Sequence, residues 1–207
     1  MTETWLDRWQ EGRIGWHEAS GNSSLKKHWR TSGRRVLVPL CGKSVDLRWL
    51  AEQGNEVVGV ELSAIAVEAF FAEQELEYSI AAGDLLCYQA RDADITIYCG
   101  DFFALKSVKC DAHYDRGALV ALPEKMRPLY AAHVSSLLTD DAEQLLVTLQ
   151  YDSSIANGPP FSLEDTEVLG YWNRLQVIDS YDDIDNAPPK FLEAGLTSII
   201  EKVWRSP

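Results

Sequence analysis

The residues of this chain with the clearest chemical potential are a glycine and a carboxylate, 19 positions apart. Gly42 interrupts one short apolar run, and Glu61 ends the next. In nucleoside-binding α/β folds, an acidic residue about 20 positions after a glycine turn hydrogen-bonds the ribose hydroxyls of the cofactor. The pair therefore predicts a nucleoside-cofactor site, with Glu61 as the residue that binds the ribose.

The turn around Gly42 limits which cofactor suits this site. Dinucleotide sites use G-x-G-x-x-G so that the main chain can approach a pyrophosphate, whereas residues 39–44 read P-L-C-G-K-S. The end of that turn also matches the end of a phosphate loop, but Leu37 stands where that motif needs its first glycine. A turn with one glycine suits a cofactor that has a ribose and no phosphates. S-adenosylmethionine is the common example.

Two charged residues, Asp115 and Arg116, follow the apolar run that begins at Ala112. Ligands of open α/β sheets collect at the carboxyl ends of the strands, so these charges are a second candidate for chemistry. Arg116 suits an anionic acceptor because its guanidinium stays protonated and offers several N–H donors. A surface ion pair between the two residues is the alternative interpretation.

Three tryptophans stand near the N-terminus, at positions 5, 9 and 16. Trp5 and Trp9 are four residues apart, so a helix would present them on one face. Flat aromatic rings suit a purine or another aromatic ligand, and this segment is predicted to form a lid. The alternative is an amphipathic helix that closes the hydrophobic core.

The elements that must position these residues follow a β/α alternation. Residues 35–63 are predicted to form one β-α-β unit, because two β-branched apolar runs flank a helical apolar face. The remaining elements are predicted as a helix over 64–74, short strands within 77–98, a strand from 112, a helix over 124–138, a strand over 144–150, and a terminal hairpin of strands near 175–181 and 197–204.

Two helix starts are predicted from capping residues. Ser63 is expected to cap the helix over 64–74, and Ser162 is expected to cap a short helix that contains Asp165. The buried side of the helix over 64–74 is predicted from its apolar residues, which are Ile65, Val67, Phe70 and Phe71.

Composition limits the classes of function. The chain has 207 residues, 46% of them hydrophobic, which suits one domain with a sizeable core. Its net charge of −13 argues against a nucleic-acid partner, because phosphate backbones are bound by clustered Lys and Arg. No apolar run approaches the ~18 residues of a membrane span, and the polar start is no signal peptide. Four cysteines without metal-ligand spacing predict reduced thiols, no metal site and a cytoplasmic location.

Seven short segments, in one order along nearly the whole chain, carry a resemblance to a known enzyme family. They read W-x-x-x-W-x-x-G-R-I-G-W-H (5–17), V-P-L-C-G-K-S (38–44), G-V-E-L-S (59–63), Y-C-G-D-F-F (98–103), Y-D-R-G-A-L (114–119), G-P-P-F (158–161) and E-K-V-W (201–204). Each segment alone is weakly specific, but seven in the family's order are specific together. On these residues the chain resembles thiopurine S-methyltransferase, and its short N-terminal segment is more like the bacterial members.

The resemblance implies a fold and a domain organisation. The expected fold is α/β, a Rossmann-like class I methyltransferase fold with a seven-stranded, mostly parallel sheet, an antiparallel last strand and helices on both faces. The implied organisation is one domain over 1–207, with a lid segment at 1–33 and a Rossmann-like core at 34–207.

The resemblance also implies roles for individual residues. The residues expected to bind the cofactor are Trp9, Leu40, Glu61, Asp101, Phe102 and Arg116. The residues expected to bind the acceptor are Trp16, Arg116 and Lys190, with Arg116 also the catalytic residue. The family often has Phe at position 16, so Trp16 keeps an aromatic ring and changes the pocket volume. Lys190 is expected in a loop before the last strand.

The implied activity is transfer of a methyl group from S-adenosylmethionine to the sulfur of an aromatic or heterocyclic thiol by a monomer. Detoxification of selenium or tellurium oxyanions is a further role that the bacterial resemblance admits. The alternatives are a methyltransferase acting on halide, oxygen or nitrogen acceptors, and a non-catalytic S-adenosylmethionine-binding protein.

Two further motifs allow more than one interpretation. Residues 157–161 read N-G-P-P-F, similar to the N/D-P-P-Y/F loop of amino-methylating DNA enzymes, but Gly158 stands where that loop needs a polar side chain. A histidine side chain titrates near neutral pH, so His17 is a candidate base, although a structural hydrogen bond is the simpler role among its aromatic neighbours. Cys41 lies in the cofactor turn, where packing is the simpler role.

Overall fold

The computed structural model describes residues 2–206, with side chains described from Trp5 onward. Met1 and Pro207, the ends of the predicted domain, lie outside the described residues. The chain divides into two compact units, Met1–Ala112 and His113–Pro207, and each is described by itself below. The predicted boundary between a lid at 1–33 and a core at 34–207 stays a prediction.

The first unit contains a sheet whose central strands are parallel. Its described elements are α1 (Thr2–Gln10), α2 (Ser23–His28), β1 (Arg35–Pro39), α3 (Asp46–Glu52), β2 (Glu56–Glu61), α4 (Ala64–Glu73), β3 (Tyr78–Ala81), β4 (Leu86–Ala90) and β5 (Ile95–Cys99). The strand order is β3-β4-β5-β2-β1. The β1–β2 and β2–β5 pairs are parallel, whereas β3–β4 and β4–β5 are antiparallel. The predicted β-α-β unit is confirmed.

Burial explains why β1 and β2 take the centre of this unit. Val36 and Leu37 of β1 are fully buried, as are Val57 and Val58 of β2. Strands buried on both faces need continuous β-branched and apolar runs of this kind. The two strands therefore hold the residues that follow them, around Gly42 and Glu61, at one edge of the sheet.

Helix α4 begins as predicted, but its buried side differs from the prediction. The Ser63 side chain accepts a hydrogen bond from the N–H of Ala66, which confirms Ser63 as the N-cap. Ile65 is 48% exposed, so its predicted burial is wrong, and Ala66 is buried in its place. At 100° per residue, Ala66, Val67 and Phe70 share one helix face and Ile65 points away from it.

The second unit is mainly antiparallel. Strand β6 (Cys110–Arg116) crosses the boundary between the units, and the described elements after it are α5 (Arg127–Leu137), β7 (Leu138–Gln150), α6 (Asp165–Tyr171), β8 (Gln176–Asp182), α7 (Pro189–Glu193) and β9 (Ile200–Arg205). The strand order is β6-β7-β9-β8. Strand β9 pairs antiparallel with both β7 and β8, which confirms the terminal hairpin.

The strand count differs from the prediction. Nine strands lie within residues 2–206, not seven, and the hairpin of β3 and β4 supplies the two additional strands. Strand β7 also begins at Leu138, earlier than predicted, because its first residues are polar and largely exposed and so give no hydrophobic signal.

The predicted cap at Ser162 is wrong. Helix α6 starts after Glu164, and the Ser162 hydroxyl instead binds the main chain of Tyr151. It donates to the Tyr151 carbonyl and accepts from the Tyr151 N–H, both at 2.9 Å. Ser162 therefore ties the segment after β7 back to the end of that strand.

Candidate functional site

Three neighbouring strands of the first unit end side by side at one edge of the sheet. In the order β5-β2-β1, Val60 pairs with Pro39 on one side and Tyr98 on the other. The Cys41 N–H donates to the Val60 carbonyl at 3.0 Å, and the Gly100 N–H donates to the Glu61 carbonyl at 2.9 Å. The segments that follow all three strands therefore meet around the end of β2.

Glu61 lies at the centre of this edge as a buried carboxylate. One oxygen accepts from the N–H of Gly42 at 2.9 Å, and the other accepts from the N–H of Ser63 at 2.8 Å. Burial raises the pKa of the Glu61 carboxyl, while its hydrogen bonds to main-chain N–H groups act in the opposite direction. Each oxygen keeps lone-pair capacity for further donors. The site is thus a fixed hydrogen-bond acceptor for hydroxyl groups.

The turn after β1 has an unusual main-chain conformation. Leu40 has a φ of +46°, in the left-handed region that disfavours non-glycine residues by about 1–2 kcal/mol. Gly42 has a φ of +55°, and a Cβ atom built there would lie 3.2 Å from the Trp9 ring. Such local strain is often retained where main chain must approach a ligand. The main chain of the turn at Gly42 therefore lies against the Trp9 ring, with little room for a side chain there.

An aromatic cluster forms around Trp16 in the N-terminal segment, whose role as a lid stays a prediction. The Trp16 ring makes edge contacts with Trp5 at 5.1 Å and with Trp9 at 5.9 Å between ring centroids. The Arg8 guanidinium lies over the rings of Trp5 at 4.9 Å and Trp16 at 5.9 Å. Trp9 is 8% exposed, which also fits its core-packing interpretation.

Asp101 and Phe102 follow β5 at the same edge. The Asp101 carboxylate accepts from the N–H of Phe103 at 3.0 Å and caps a single 3-10 turn. Asp101 is exposed, whereas Phe102 is buried. The pair thus supplies a polar group beside an apolar ring, which is an arrangement that suits a nucleobase.

The first unit therefore contains six of the predicted site residues, which are Trp9, Trp16, Leu40, Glu61, Asp101 and Phe102. The other two, Arg116 and Lys190, lie in the second unit. Arg116 is half-buried at the last position of β6.

Asp115 is not part of a surface ion pair, because it is only 1% exposed. Its carboxylate accepts from the N–H groups of Ala118 and Leu119 and from the hydroxyl of Tyr130. The alternative interpretation of this sequence pair is therefore wrong.

The predicted loop position of Lys190 is wrong. Lys190 lies in α7, because Pro189 starts a short helix there. Its ammonium donates to the carbonyl of Pro159 at 2.6 Å and that of Asn157 at 3.4 Å. Lys190 therefore docks on the segment 157–161, called the Pro-Pro loop below.

The Pro-Pro loop is held by contacts that sequence reasoning missed. The Phe161 N–H donates to the Val120 carbonyl at 2.6 Å, and the Tyr151 hydroxyl donates to the Pro160 carbonyl at 2.7 Å. Arg127 lies over the Phe161 ring at 5.4 Å and donates to the Leu122 carbonyl. The one signal in the sequence is an arginine near the start of the helix predicted over 124–138.

The groups set aside as reactive candidates are mainly structural. Cys41 is buried. Burial raises the pKa of its thiol, and the nearby Glu61 charge raises it further. A thiol that stays protonated fits a packing role and not nucleophilic chemistry. All four cysteines are free. Among the side chains that the structure describes, those of residues 5–206, no cluster of three or more His, Cys, Asp or Glu suits a metal ion. The described helices are all too short or too polar to cross a membrane.

Proteins of known structure share this fold. A 1,6-didemethyltoxoflavin-N1-methyltransferase from Burkholderia thailandensis, solved with S-adenosylhomocysteine, matches with a TM-score of 0.63 at 16% identity, covering 99% of this chain and 86% of its own. A TehB-like S-adenosylmethionine-dependent methyltransferase from Corynebacterium glutamicum matches with a TM-score of 0.55 at 15% identity, covering 100% and 98%. The chain has the predicted class I methyltransferase fold.

Sequence relatives carry one family name. A thiopurine S-methyltransferase of Bordetella petrii is 46% identical over 213 residues, covering 98% of this chain and 96% of its own. One from Pseudomonas fluorescens is 45% identical over 214 residues, covering 98% and 97%. The sequence model of the family described as thiopurine S-methyltransferase matches residues 1–206. The chain therefore belongs to the thiopurine S-methyltransferase family.

Proposed function

We propose that this methyltransferase transfers a methyl group from S-adenosylmethionine to the sulfur of an aromatic or heterocyclic thiol, such as a thiopurine. The observation that carries the proposal is the Glu61 carboxylate, fixed by the main-chain N–H groups of Gly42 and Ser63, with Gly42 itself close to the Trp9 ring. Family membership supplies the reaction class. The substrate class is inferred from the acceptor residues below.

The residues at the sheet edge fit S-adenosylmethionine better than a phosphorylated nucleotide. Glu61 has lone pairs left for the two ribose hydroxyls, Leu40 and Phe102 offer apolar walls for adenine, and Asp101 offers a polar group. The Lys43 ammonium, which a phosphate loop would need, is paired with the Glu73 carboxylate. S-adenosylmethionine, when bound, supplies a methyl group on a positively charged sulfur.

The acceptor side of the proposal rests on Arg116, with Trp16 and Lys190. A guanidinium favours the ionised thiol because opposite charge lowers the pKa of an acid. A thiolate is already a strong nucleophile, so the protein needs no general base and mainly aligns the reacting atoms. Alignment of this kind is worth about 7–11 kcal/mol of barrier in well-oriented reactions.

A methyl-transfer assay tests the proposal. With S-adenosylmethionine and 6-mercaptopurine, the wild type should form the methyl thioether and S-adenosylhomocysteine. Arg116→Ala should turn over more slowly, with a pH profile shifted upward and cofactor affinity retained. Turnover of selenite or halide without turnover of the thiol would contradict the proposed acceptor. Normal turnover by Arg116→Ala would remove Arg116 from the acceptor site.

Thermal unfolding tests the cofactor part separately. S-adenosylhomocysteine at saturating concentration should raise the melting temperature, because a ligand that binds the folded state stabilises it. ATP and NAD should not. A comparable shift with ATP would favour the phosphate-loop interpretation of residues 42–44 and contradict the proposed cofactor.

The proposal includes a monomeric, cytoplasmic protein with a small-molecule substrate. The net charge of −13 supports the absence of a nucleic-acid or anionic membrane partner.

A further inference from the structure

The carboxylate of Asp115 closes the turn that directly follows Arg116. One oxygen accepts from the N–H of Ala118 at 3.2 Å and from the N–H of Leu119 at 3.1 Å. These two hydrogen bonds span Arg116 and Gly117, and Gly117 has a φ of +87° that favours glycine. The main-chain direction at Arg116 is therefore set by the side chain of the residue before it.

The second oxygen of Asp115 is held from another element. The Tyr130 hydroxyl, on α5, donates to it at 2.7 Å, and Tyr130 is fully buried. A hydrogen bond to an ionised acceptor is short and strong. With one oxygen on Tyr130, the carboxylate can rotate little, so the other oxygen stays directed at the two N–H groups of the turn.

We propose that Tyr130 is a positioning residue for Arg116: its hydroxyl orients the Asp115 carboxylate, which in turn orders the turn that carries the guanidinium. The inference rests on the proposed acceptor role of Arg116. Tyr130 is fully buried and acts through Asp115, which links its hydroxyl to the turn at Arg116.

The ionisation of Asp115 supports this arrangement. Burial raises the pKa of the carboxyl to about 6, and the hydrogen bonds from Tyr130, Leu119 and Ala118 act against that rise. The groups that face the carboxyl are the Tyr130 phenol from α5 and these two N–H groups, and Arg116 follows it in the chain. Without the Tyr130 hydroxyl, the Asp115 carboxyl would stay protonated to a higher pH, and its hydrogen bonds from the N–H groups of Ala118 and Leu119 would be weaker.

The variant Tyr130→Phe removes the hydroxyl and keeps the ring. Amide hydrogen exchange should show about tenfold lower protection at Ala118 and Leu119, the size expected for loss of a hydrogen bond to a charged group. With 6-mercaptopurine, kcat/KM should fall about tenfold at pH near 8 and further at pH near 6. The affinity for S-adenosylhomocysteine should match the wild type.

Two further variants complete the test. Tyr181→Phe removes another phenol hydroxyl that donates to a carboxylate, that of Glu201 on β9, and should leave exchange at Ala118 and the pH profile unchanged. Asp115→Asn keeps an acceptor for the turn and cannot titrate, so the ratio of its kcat/KM to that of the wild type should rise as pH falls towards about 6.

The outcomes separate the inference from the proposed function. Unchanged protection at Ala118 and Leu119 in Tyr130→Phe would overturn the inference whatever the activity. An equal effect of Tyr181→Phe would also overturn it, because the change would then be a general loss of stability. Absence of thiol methylation by the wild type would instead contradict the proposed function.

Discussion

The Glu61 side chain joins two main-chain segments, the turn after β1 and the turn after β2. Its two oxygens bind the N–H groups of Gly42 and Ser63, which lie on either side of the strand end. The raised pKa of this carboxyl reflects the cost of burying its charge. Hydroxyl donors from a bound ribose would offset part of that cost, because hydrogen bonds to the charged form favour it.

We expect Glu61→Gln to weaken S-adenosylhomocysteine binding by about 1.5–3 kcal/mol, the range for a hydrogen bond to a charged group. Glutamine keeps the shape, but its amide nitrogen cannot accept from Gly42 or Ser63. Calorimetry on the folded variant measures the affinity. Glu56→Gln, at the opposite end of β2, is the matched control and should bind normally. Equal affinities for both variants and the wild type would remove Glu61 from the site.

At the scale of elements, helix α7 holds the Pro-Pro loop through hydrogen bonds from Lys190. The Lys190 ammonium lies 2.6 Å from the Pro159 carbonyl oxygen and 4.8 Å from the centre of the Phe191 ring. Phe191 is 1% exposed and packs in a buried cluster with Tyr151 and Ile199. The charge of Lys190 is thus held by a helix that the core anchors.

We expect Lys190→Met to raise the KM for 6-mercaptopurine several-fold and to shift the pH profile less than Arg116→Ala does. The reason is that methionine keeps the length of the side chain and removes the hydrogen bonds to Asn157 and Pro159, worth about 1 kcal/mol each. Steady-state kinetics across pH measures both effects. Lys125→Met, which removes an exposed charge before α5, should behave as the wild type. An unchanged KM in Lys190→Met would contradict the proposed place of Lys190 on the acceptor side.

The elements show what the sequence could and could not predict. Strands β1 and β2 and the cap of α4 were predicted because their signals are local: β-branched runs and a serine before an apolar helix. The bond between Tyr130 and Asp115, and that between Phe161 and Val120, join residues far apart in sequence and leave no periodic signal. Lys190 was assigned to a loop because a helix of five residues is too short to show periodicity.

The contrast between local signals and distant contacts also explains which parts of the candidate site could be predicted. Family membership confirms the predicted fold class, methyltransferase activity and S-adenosylmethionine as cofactor, since seven motifs carried that information. The spacing of Gly42 and Glu61 alone indicated that they lie together, as their hydrogen bond shows, and the role of Glu61 in cofactor binding stays a prediction. The contacts that hold the Pro-Pro loop were not found, because they depend on Arg127 and Tyr151 meeting carbonyl groups that every residue possesses.

At the scale of the whole molecule, two buried groups make folding stability depend on pH in opposite directions. Burial lowers the pKa of His113 to about 3 and raises that of Asp115 to about 6. From about pH 6.5 down to 3, the unfolded chain protonates His113 and the folded chain does not, so this group makes stability fall as pH falls. From about pH 6 down to 4, the folded chain protonates Asp115 first, so this group makes stability rise as pH falls.

We expect His113→Phe to remove the acid-side loss of stability that this histidine causes. Phenylalanine cannot be protonated and fills the place beside Trp172, whose ring centroid lies 5.8 Å away. Loss of the contact with Gln144 should lower stability by a constant amount at every pH. Below about pH 6.5, the variant should therefore gain on the wild type by up to about 1.4 kcal/mol per pH unit.

Urea unfolding at a series of pH values measures this difference, with the slope against pH as the readout and not the absolute stability. His133→Phe replaces a half-buried histidine on α5 and is the control for loss of an imidazole in the same unit. The two opposing groups partly cancel between about pH 6 and 4, so the wild-type curve should be steepest just above and just below that range. Parallel curves for the wild type and His113→Phe would show that His113 titrates alike in the folded and the unfolded protein, and would contradict its lowered pKa as a buried group.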